Sequence, residues 1–210
     1  KAVGESVEKP LLYYENNLGA LVYILQELEK KKEAHFIFSS SCTVYGQAEV
    51  MPIAETTPIQ PALSPYGNTK QIGEEIISDV VKVSGINAIL LRYFNPIGAH
   101  PSGEIGELPS GVPQNLVPFI TQAGMGLRGE LSVFGNDYPT VDGTCVRDYI
   151  HVVDLAKAHV IALQRLLDKK NEEPLEIFNL GTGTGSSVLE AIAAFEKVSG
   201  QKLSYKIGER

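Results

Sequence analysis

Cysteine and histidine are scarce in this sequence. The 210 residues include two cysteines, Cys42 and Cys145, which lie outside any Cys-x-x-Cys pair, and four histidines without the spacing of metal ligands. No Asn-x-Ser/Thr acceptor for N-glycosylation is present. These absences predict that the chain has no metal site and no disulfide framework, and they favour a reducing, cytoplasmic setting.

Long apolar runs and an excess of positive charge are also lacking. No run reaches the ~20 residues that cross a membrane, and 18 Lys and Arg stand against 25 Asp and Glu, a net charge of −7. This charge argues against a nucleic-acid-binding surface, so an anionic ligand would be held by a local site. The length and the 43% hydrophobic residues predict a globular chain of one large domain, or of one domain plus a smaller lobe.

The sequence does contain alternating strand and helix patterns. Strand patterns cover residues 35–38, 87–94, 131–134, 146–151 and 176–180. Helix patterns cover residues 11–32, 65–83, 114–127, 153–168 and 186–198. This alternation predicts an α/β fold with a mostly parallel sheet covered on both faces, which binds ligands at the carboxyl ends of its strands. The Gly/Pro-rich stretch 95–113 is expected to be a long functional loop.

Tyr66 and Lys70 are the first candidates for chemistry. They lie four residues apart in a predicted helix and therefore share a face, a spacing that also occurs on solvated helices. Ser64 and Pro65 are typical of a helix N-cap and first turn. The strand before this helix ends at residues 39–41, all serine. A hydroxyl, a phenol and an ammonium group could therefore converge on one substrate oxygen.

A tyrosine that works as a base near neutral pH needs a lowered pKa. The ordinary pKa is ~10, and a shift of ~3 units corresponds to ~4 kcal/mol. A nearby lysine favours the phenolate. We therefore expect Lys70 to lower the pKa of Tyr66 and Tyr66 to act as a general base.

Longer motifs indicate a family. The runs Ser39-Ser-Ser-Cys-Thr-Val-Tyr-Gly46, Ser64-Pro-Tyr-Gly-Asn-Thr-Lys70 and Leu91-Arg-Tyr-Phe-Asn-Pro-Ile-Gly-Ala-His-Pro-Ser-Gly103 resemble the extended short-chain dehydrogenase/reductase family. They are most similar to its UDP-glucose 4-epimerase (UDP-galactose 4-epimerase) branch. The run Val146-Arg-Asp-Tyr-Ile-His151 strengthens this resemblance, which extends over essentially the whole chain.

The resemblance implies an α/β fold, a Rossmann-like doubly wound parallel sheet with a smaller substrate-binding lobe. Residues 1–95 would be the remainder of the NAD-binding domain, to which pieces within 146–186 return. Residues 96–145 and 187–210 would form the UDP-sugar-binding lobe. The N-terminal strands, the Gly-rich NAD loop and an Arg-x-Gly-Asp stretch would be missing, so the chain is expected to be truncated at both ends.

The resemblance also implies a function in galactose metabolism. Members of this branch are NAD-dependent isomerases that interconvert UDP-glucose and UDP-galactose by transient oxidation at sugar C4, with NAD as a tightly held cofactor. Tyr66 would take the proton of the 4-hydroxyl, Ser41 would hydrogen-bond the 4-oxygen, and Lys70 would bind the nicotinamide ribose. Helices 11–32 and 65–83 would pair in a homodimer.

Other positions match family contacts residue by residue. The implied cofactor-binding residues are Lys1, Asn16, Ser39, Tyr66, Lys70 and Tyr93. The implied substrate-binding residues are Ser41, Tyr66, Phe94, Asn95, Asn115, Leu116, Ser132, Phe134, Arg147 and Tyr149. Simpler interpretations remain for three of them: Phe134 could be core, Arg147 could pair with Asp148, and Asn115 could cap a helix. Arg92 is expected to be a structural partner.

Alternative functions stay open at this point. These are a 4,6-dehydratase, another epimerase, or a catalytically incomplete fragment that only binds UDP-sugar. Dehydratases typically carry Asp-Glu after the active hydroxyl residue, whereas Cys42 and Thr43 follow Ser41. The run Gly181-Thr-Gly-Thr-Gly185 imitates a dinucleotide-binding turn but lacks the last glycine and the distal acidic residue, so we assign it to helix capping and packing.

Overall fold

The computed structural model describes residues 3–109 and 111–210, and the chain divides into two compact units. Within the described residues, the first unit comprises residues 3–94 and 154–180, and the second comprises residues 95–153 and 181–210. Among the helices of this described part, none is both long enough and apolar enough to cross a membrane.

The helices and strands follow one another in the predicted alternating order. The helices are α1 (Val3–Glu8), α2 (Pro10–Tyr14), α3 (Ala20–Leu28), α4 (Pro65–Val83), α5 (Leu116–Gly124), α6 (Val152–Leu167) and α7 (Val188–Ser199). The strands are β1 (Ala34–Ser41), β2 (Ile86–Tyr93), β3 (Asn95–Ile97), β4 (Leu131–Phe134), β5 (Val146–His151), β6 (Leu175–Leu180), β7 (Gly185–Ser187) and β8 (Tyr205–Gly208). A π-helical turn, Glu15–Gly19, joins α2 to α3, and a 3-10 turn, Cys42–Tyr45, follows β1.

The first unit is built on a parallel sheet with strand order β1-β2-β6. Successive side chains of β2 alternate between its two faces: Leu90 packs with α3 and α4, while Ile89 and Leu91 pack with α6. Each fully buried leucine or isoleucine contributes ~1.5–3 kcal/mol. Helices on both faces of a parallel sheet confirm the predicted doubly wound α/β arrangement.

Helix α4 begins and ends as the sequence predicts. The Ser64 side chain accepts a hydrogen bond from the Gly67 backbone N–H at 3.1 Å, and Pro65 occupies the first turn. The parallel strand β1, which ends at Ser41, runs beside β2 in register from Ala34 to Ser41. The start of α4 and the end of β1 carry the chemical candidates.

Residues 11–32 were predicted as one helix, and the backbone is helical from Pro10 to Leu28, with a π-helical turn within it. Pro10 begins a new helix at α2 because proline lacks the backbone N–H that would continue α1. The π-helical turn then separates α2 from α3, and the Asn17 side chain donates to the Thr69 hydroxyl of α4 at 2.9 Å. Helix α3 ends at Leu28, before the predicted basic end.

The second unit contains two small sheets and its own core. One sheet has the order β3-β5-β7 and the other pairs β4 with β8. The buried members of the core come from α5, β4 and α7: Ile120, Leu131, Val133 and Ile192. The strands β3, β7 and β8 were not predicted: β3 lies in the stretch expected to be a loop, β7 overlaps the start of the predicted helix 186–198, and β8 lies where no element was predicted.

The boundary between the units differs from the expected domains. Residues 146–153 and 181–186 were assigned to the first domain, but they lie in the second unit. The reason is strand pairing, since β5 pairs with β3 on one side and with β7 on the other.

Candidate active site

Tyr66 is fixed in the first turn of α4 by contacts with α1 and α2. Its backbone N–H donates to the hydroxyl oxygen of Ser6 at 3.1 Å, and its ring meets Tyr13 edge-to-face with centroids 6.5 Å apart. The Tyr66 side chain is 7% exposed. Ser6 is a positioning residue that sequence reasoning missed, because a lone serine in α1 carries no signal for a partner sixty residues away.

The structure brings Ser41 to the phenol of Tyr66 and corrects our expectation for its pKa. Burial, which disfavours the phenolate, raises the pKa of Tyr66 to about 12. The neighbouring Ser41 hydroxyl lowers this pKa, but by less than burial raises it. The expectation that Lys70 brings the pKa of Tyr66 down towards neutrality is therefore wrong for the protein chain alone.

Lys70 lies one helical turn after Tyr66, as predicted, and reaches the end of β1. Its Nζ donates to the backbone carbonyl oxygen of Ser39 at 2.8 Å. The same Nζ lies 4.8 Å from the ring centroid of Phe38 and 5.8 Å from that of Tyr66. Two rings and a carbonyl therefore hold the ammonium group in place.

Glu74 continues the same face of α4 and was not predicted as a site residue. Its carboxylate accepts from Nη2 of Arg92 at 2.5 Å and from Nε at 2.9 Å, and it also accepts a hydrogen bond from the Ser40 hydroxyl. Arg92 is 3% exposed and Glu74 is 6% exposed. This buried ion pair confirms the structural interpretation of Arg92. Helix α4 thus contacts the three consecutive serines at the end of β1 through Tyr66, Lys70 and Glu74.

Tyr93 and Ser39 meet at the ends of neighbouring strands. Burial raises the pKa of Tyr93, and the neighbouring Ser39 hydroxyl lowers it by less. We call Ser39, Ser41, Tyr66, Lys70 and Tyr93 the strand-end site. It lies at the carboxyl ends of parallel strands, where ligands bind in folds of this class.

The remaining first-unit candidates lie near these elements or outside the described residues. Asn16 is exposed in the π-helical turn, a form of helix that is frequent at functional sites. Phe94 follows β2 directly, and its backbone N–H donates to the carbonyl oxygen of Leu180 at 3.0 Å. Lys1 lies outside the described residues.

In the second unit, β4 places Ser132 and Phe134 on the face away from the core. Leu131 and Val133 are buried, while Phe134 is 67% exposed. The interpretation of Phe134 as a core residue is therefore wrong. An exposed aromatic ring beside a half-buried hydroxyl is a surface on which a flat, polar ring could stack.

Arg147 and Tyr149 lie on β5 with Asp148 between them. The Arg147 side chain is exposed, and its Nη1 donates to the backbone oxygen of Val146 at 2.8 Å. Asp148 instead bonds the loop after β6 through its carboxylate, and its backbone oxygen accepts from Nδ2 of Asn95 at 3.0 Å. The alternative in which Arg147 forms an ion pair with Asp148 is therefore wrong. Burial raises the pKa of the half-buried Tyr149.

Asn115 and Leu116 begin α5. Asn115 occupies the N-cap position, but its side chain makes no capping hydrogen bond and is exposed. The interpretation of Asn115 as a helix cap therefore does not hold for its side chain. Leu116 is half-buried and packs against the core of the second unit.

Comparisons with known proteins give the chain its family. Residues 1–181 match the NAD dependent epimerase/dehydratase family. The chain is 53% identical over 211 aligned positions to UDP-glucose 4-epimerase of Bacillus subtilis, covering 100% of this chain and 61% of that protein. It is 52% identical to UDP-glucose 4-epimerase of Bos taurus, covering 100% and 60%.

Solved structures agree with the sequence matches. A UDP-glucose-4-epimerase from Stenotrophomonas maltophila with bound NAD and formylated UDP-arabinopyranose superposes with a TM-score of 0.95 at 47% identity, covering 100% of this chain and 62% of that one. One from Bifidobacterium longum in complex with NAD+ and UDP gives 0.91 at 49% identity, with the same coverage. The similarity confirms the Rossmann-like fold.

The chain spans about three fifths of the length of the curated relatives it matches. Within that span the resemblance is continuous, since the matched region includes the whole strand-end site and most of the second unit. The chain belongs to the NAD dependent epimerase/dehydratase family.

Proposed function

We propose that the protein is an NAD-dependent epimerase that interconverts UDP-glucose and UDP-galactose by transient oxidation at C4 of the sugar. The observation that carries the proposal is the convergence of Tyr66, Ser41 and Lys70 at the end of β1. This combination offers a proton acceptor, a hydrogen-bonding hydroxyl and a fixed positive charge at one place. The relatives named UDP-glucose 4-epimerase supply the choice of substrate.

The donors of the strand-end site suit the nicotinamide ribose of NAD. A ribose presents vicinal hydroxyl groups, and the Lys70 ammonium and the Tyr66 phenol can both hydrogen-bond them. Lys70 is already held on the Ser39 carbonyl at 2.8 Å, so it is oriented before a ligand arrives. The residues that would hold the cofactor are Asn16, Ser39, Tyr66, Lys70 and Tyr93, with Lys1 added from the sequence.

Tyr66 would hold and move the proton. When bound, oxidised NAD supplies a hydride acceptor and a positive charge, and positive charge favours the phenolate. This contribution matters because burial keeps the pKa of Tyr66 at about 12 in the protein chain alone. As a phenolate, Tyr66 would take the proton of the sugar 4-hydroxyl and return it at the end of the cycle, with Ser41 hydrogen-bonding the same oxygen.

The second unit would bind the UDP portion of the substrate. The guanidinium of Arg147 is exposed and matches the geometry of a diphosphate. Phe134 and Ser132 would flank the uracil, and Asn115 and Leu116 would contact the diphosphate and uridine. Phe94, Asn95 and Tyr149 would complete the substrate contacts. On this proposal the first unit is the cofactor-binding domain and the second is the UDP-sugar-binding lobe.

We propose that the protein is a cytoplasmic homodimer. Several apolar side chains on α1 to α3 are exposed, among them Val7, Leu11 and Tyr23 at 62%, 80% and 70%. Two cysteines without a disulfide suit a reducing compartment. Light scattering of the purified protein at micromolar concentration tests the dimer, and a monomer there would contradict it.

The test of the function uses the protein expressed from its complete reading frame. We expect it to carry NAD that is released on denaturation, and to convert UDP-galactose into UDP-glucose without added NAD. Formation of a 4-keto-6-deoxy sugar instead would indicate a dehydratase. Binding of UDP-galactose with no bound NAD and no turnover would refute the proposal and favour a protein that only binds UDP-sugar.

A further inference from the structure

His159 of α6 contacts the strand-end site, and neither the sequence analysis nor the proposed function uses it. Its Nε2 lies 2.8 Å from the hydroxyl oxygen of Ser39. Its Nδ1 lies 2.9 Å from the backbone carbonyl oxygen of Leu155, one turn earlier in the same helix. The Tyr93 ring lies beside it, with a centroid separation of 6.3 Å.

The two contacts of the imidazole fix its tautomer. A backbone carbonyl oxygen only accepts hydrogen bonds, so the proton of the neutral ring is on Nδ1 and is donated to Leu155. Nε2 therefore carries a lone pair, and the Ser39 hydroxyl must donate its proton to it. The direction of the Ser39 hydrogen bond is thus set from α6.

The direction of that bond determines what Ser39 offers to other groups. Because its only proton is donated to His159, the Ser39 oxygen can only accept from the neighbouring Tyr93 phenol, whose pKa the Ser39 hydroxyl lowers. The backbone carbonyl of the same serine holds the Lys70 ammonium at 2.8 Å. Ser39 therefore meets Lys70 with its backbone carbonyl and lies beside Tyr93 with its hydroxyl, and His159 orients that hydroxyl.

We propose that His159 is a positioning residue of this enzyme, which orients the Ser39 hydroxyl as a hydrogen-bond acceptor and so positions the neighbouring Tyr93 phenol. The hydrogen bonds run in one direction, from Ser39 to His159 and on to Leu155. A group without an acceptor at position 159 would free the Ser39 hydroxyl to rotate and donate elsewhere. The kinetic consequence of this proposal rests on the epimerase function, whereas its structural basis does not.

The first test is spectroscopic and needs no turnover. In protein with isotope-labelled histidine, the ring nitrogen chemical shifts report which nitrogen carries the proton. We expect the Nδ1–H tautomer for His159, and loss of the Ser39 contact in Ser39→Ala should shift the Nε2 resonance. An Nε2–H tautomer, or no change on removing the serine hydroxyl, would overturn the proposal.

The second test separates positioning from packing. His159→Met fills the space but removes the acceptor, whereas His159→Gln restores an acceptor oxygen. We expect kcat to fall about tenfold in the Met variant, equal to ~1.4 kcal/mol, with KM for UDP-galactose changed less than about twofold. The Gln variant should recover most of the loss. Equal kcat values in the two variants would count against the proposal.

A double-mutant cycle with Ser39→Ala completes the design. If His159 acts through Ser39, the Met substitution should have little further effect on kcat in the Ser39→Ala background. Additive losses would overturn the proposal. Lys157→Met, on the exposed side of the same helix, serves as the control and should keep the original kcat. If the protein has no epimerase activity, the proposed function fails, while the tautomer measurement still decides the orientation of Ser39.

Discussion

The carboxylate of Asp148 accepts hydrogen bonds from the backbone N–H of Thr182 at 2.9 Å and from that of Gly183 at 2.9 Å, and the Thr182 hydroxyl donates to it at 2.7 Å. These are the N–H groups that a glycine-rich turn would offer to a phosphate. In this protein they are satisfied by a side chain of β5. We call the contact of the Asp148 carboxylate with Thr182 and Gly183 the clamp. It gives the loop after β6 a structural role, although the sequence of that loop resembles a dinucleotide-binding turn.

The first prediction concerns this clamp. Asp148→Asn replaces one accepting oxygen with an amide that cannot accept from the loop. We expect a local loss of ~1–2 kcal/mol, because hydrogen bonds to charged groups are strong but these are partly exposed. Amide hydrogen exchange at Thr182 and Gly183 should become about tenfold faster or more. Asp137→Asn, at an exposed ion pair of the same unit, is the control. Unchanged exchange in Asp148→Asn would contradict the clamp.

The second prediction concerns the ion pair between Glu74 and Arg92. Glu74→Gln leaves a guanidinium buried without its counter-charge, and breaking such a pair costs ~3–5 kcal/mol. We expect a loss of about 3 kcal/mol in the free energy of unfolding, measured by chemical denaturation. Asp79→Asn breaks an exposed pair with Lys82 on the same helix and should change stability by less than about 0.5 kcal/mol. Equal losses in the two variants would show that burial is unimportant here.

Sequence reasoning predicted the long elements of the fold because their patterns extend over several turns or a full strand. Helix α4 agrees with its predicted bounds, and the strands 131–134 and 146–151 agree as well. The π-helical turn within 11–32 includes Asn17, which contacts Thr69 of α4, and a contact between such distant residues cannot be read from a helix pattern. The pairing of β5 with β7 is equally non-local, which is why the boundary between the units could not be predicted.

In the strand-end site too, local spacing could be predicted from the sequence, whereas burial and contacts between distant residues could not. The spacing of Tyr66 and Lys70 placed them on one helix face, and the end of β1 placed Ser39 and Ser41 beside them. The pKa of Tyr66 could not be predicted in this way, since burial dominates it and burial is a property of the packed chain. His159 was missed because its partner lies 120 residues away.

The third prediction tests Tyr66 as the base. Tyr66→Phe removes only the hydroxyl, so the ring keeps its packing against Tyr13. General bases contribute ~10²–10⁴-fold to rate, and we expect kcat to fall within that range while the affinity for UDP-galactose changes less than about threefold. Steady-state kinetics and a direct binding measurement check the two parts. Tyr205→Phe, on β8, is the control, and a near-normal kcat in Tyr66→Phe would refute the assignment.

The fourth prediction follows from the burial of Tyr66. A pKa of about 12 in the folded chain, against 10.0 for an ordinary tyrosine, means that the folded state keeps its proton where the unfolded state has lost it. The unfolded state then binds fewer protons, so the free energy of unfolding falls as pH rises from 10 to 12, by up to ~2.7 kcal/mol from this group. Below pH 10 the contribution is complete.

Tyr66→Phe removes the titrating group and isolates that effect. Its free energy of unfolding should fall less steeply than that of the unmodified chain between pH 10 and pH 12, whatever constant offset the lost hydroxyl causes. Ser41→Ala should act in the opposite sense, because the hydroxyl it removes lowers the pKa of Tyr66. Chemical denaturation repeated across this pH window measures the slopes. Parallel curves for the unmodified chain and Tyr66→Phe would mean that the phenol titrates at the same pH in both states, and that solvent reaches it in the folded protein.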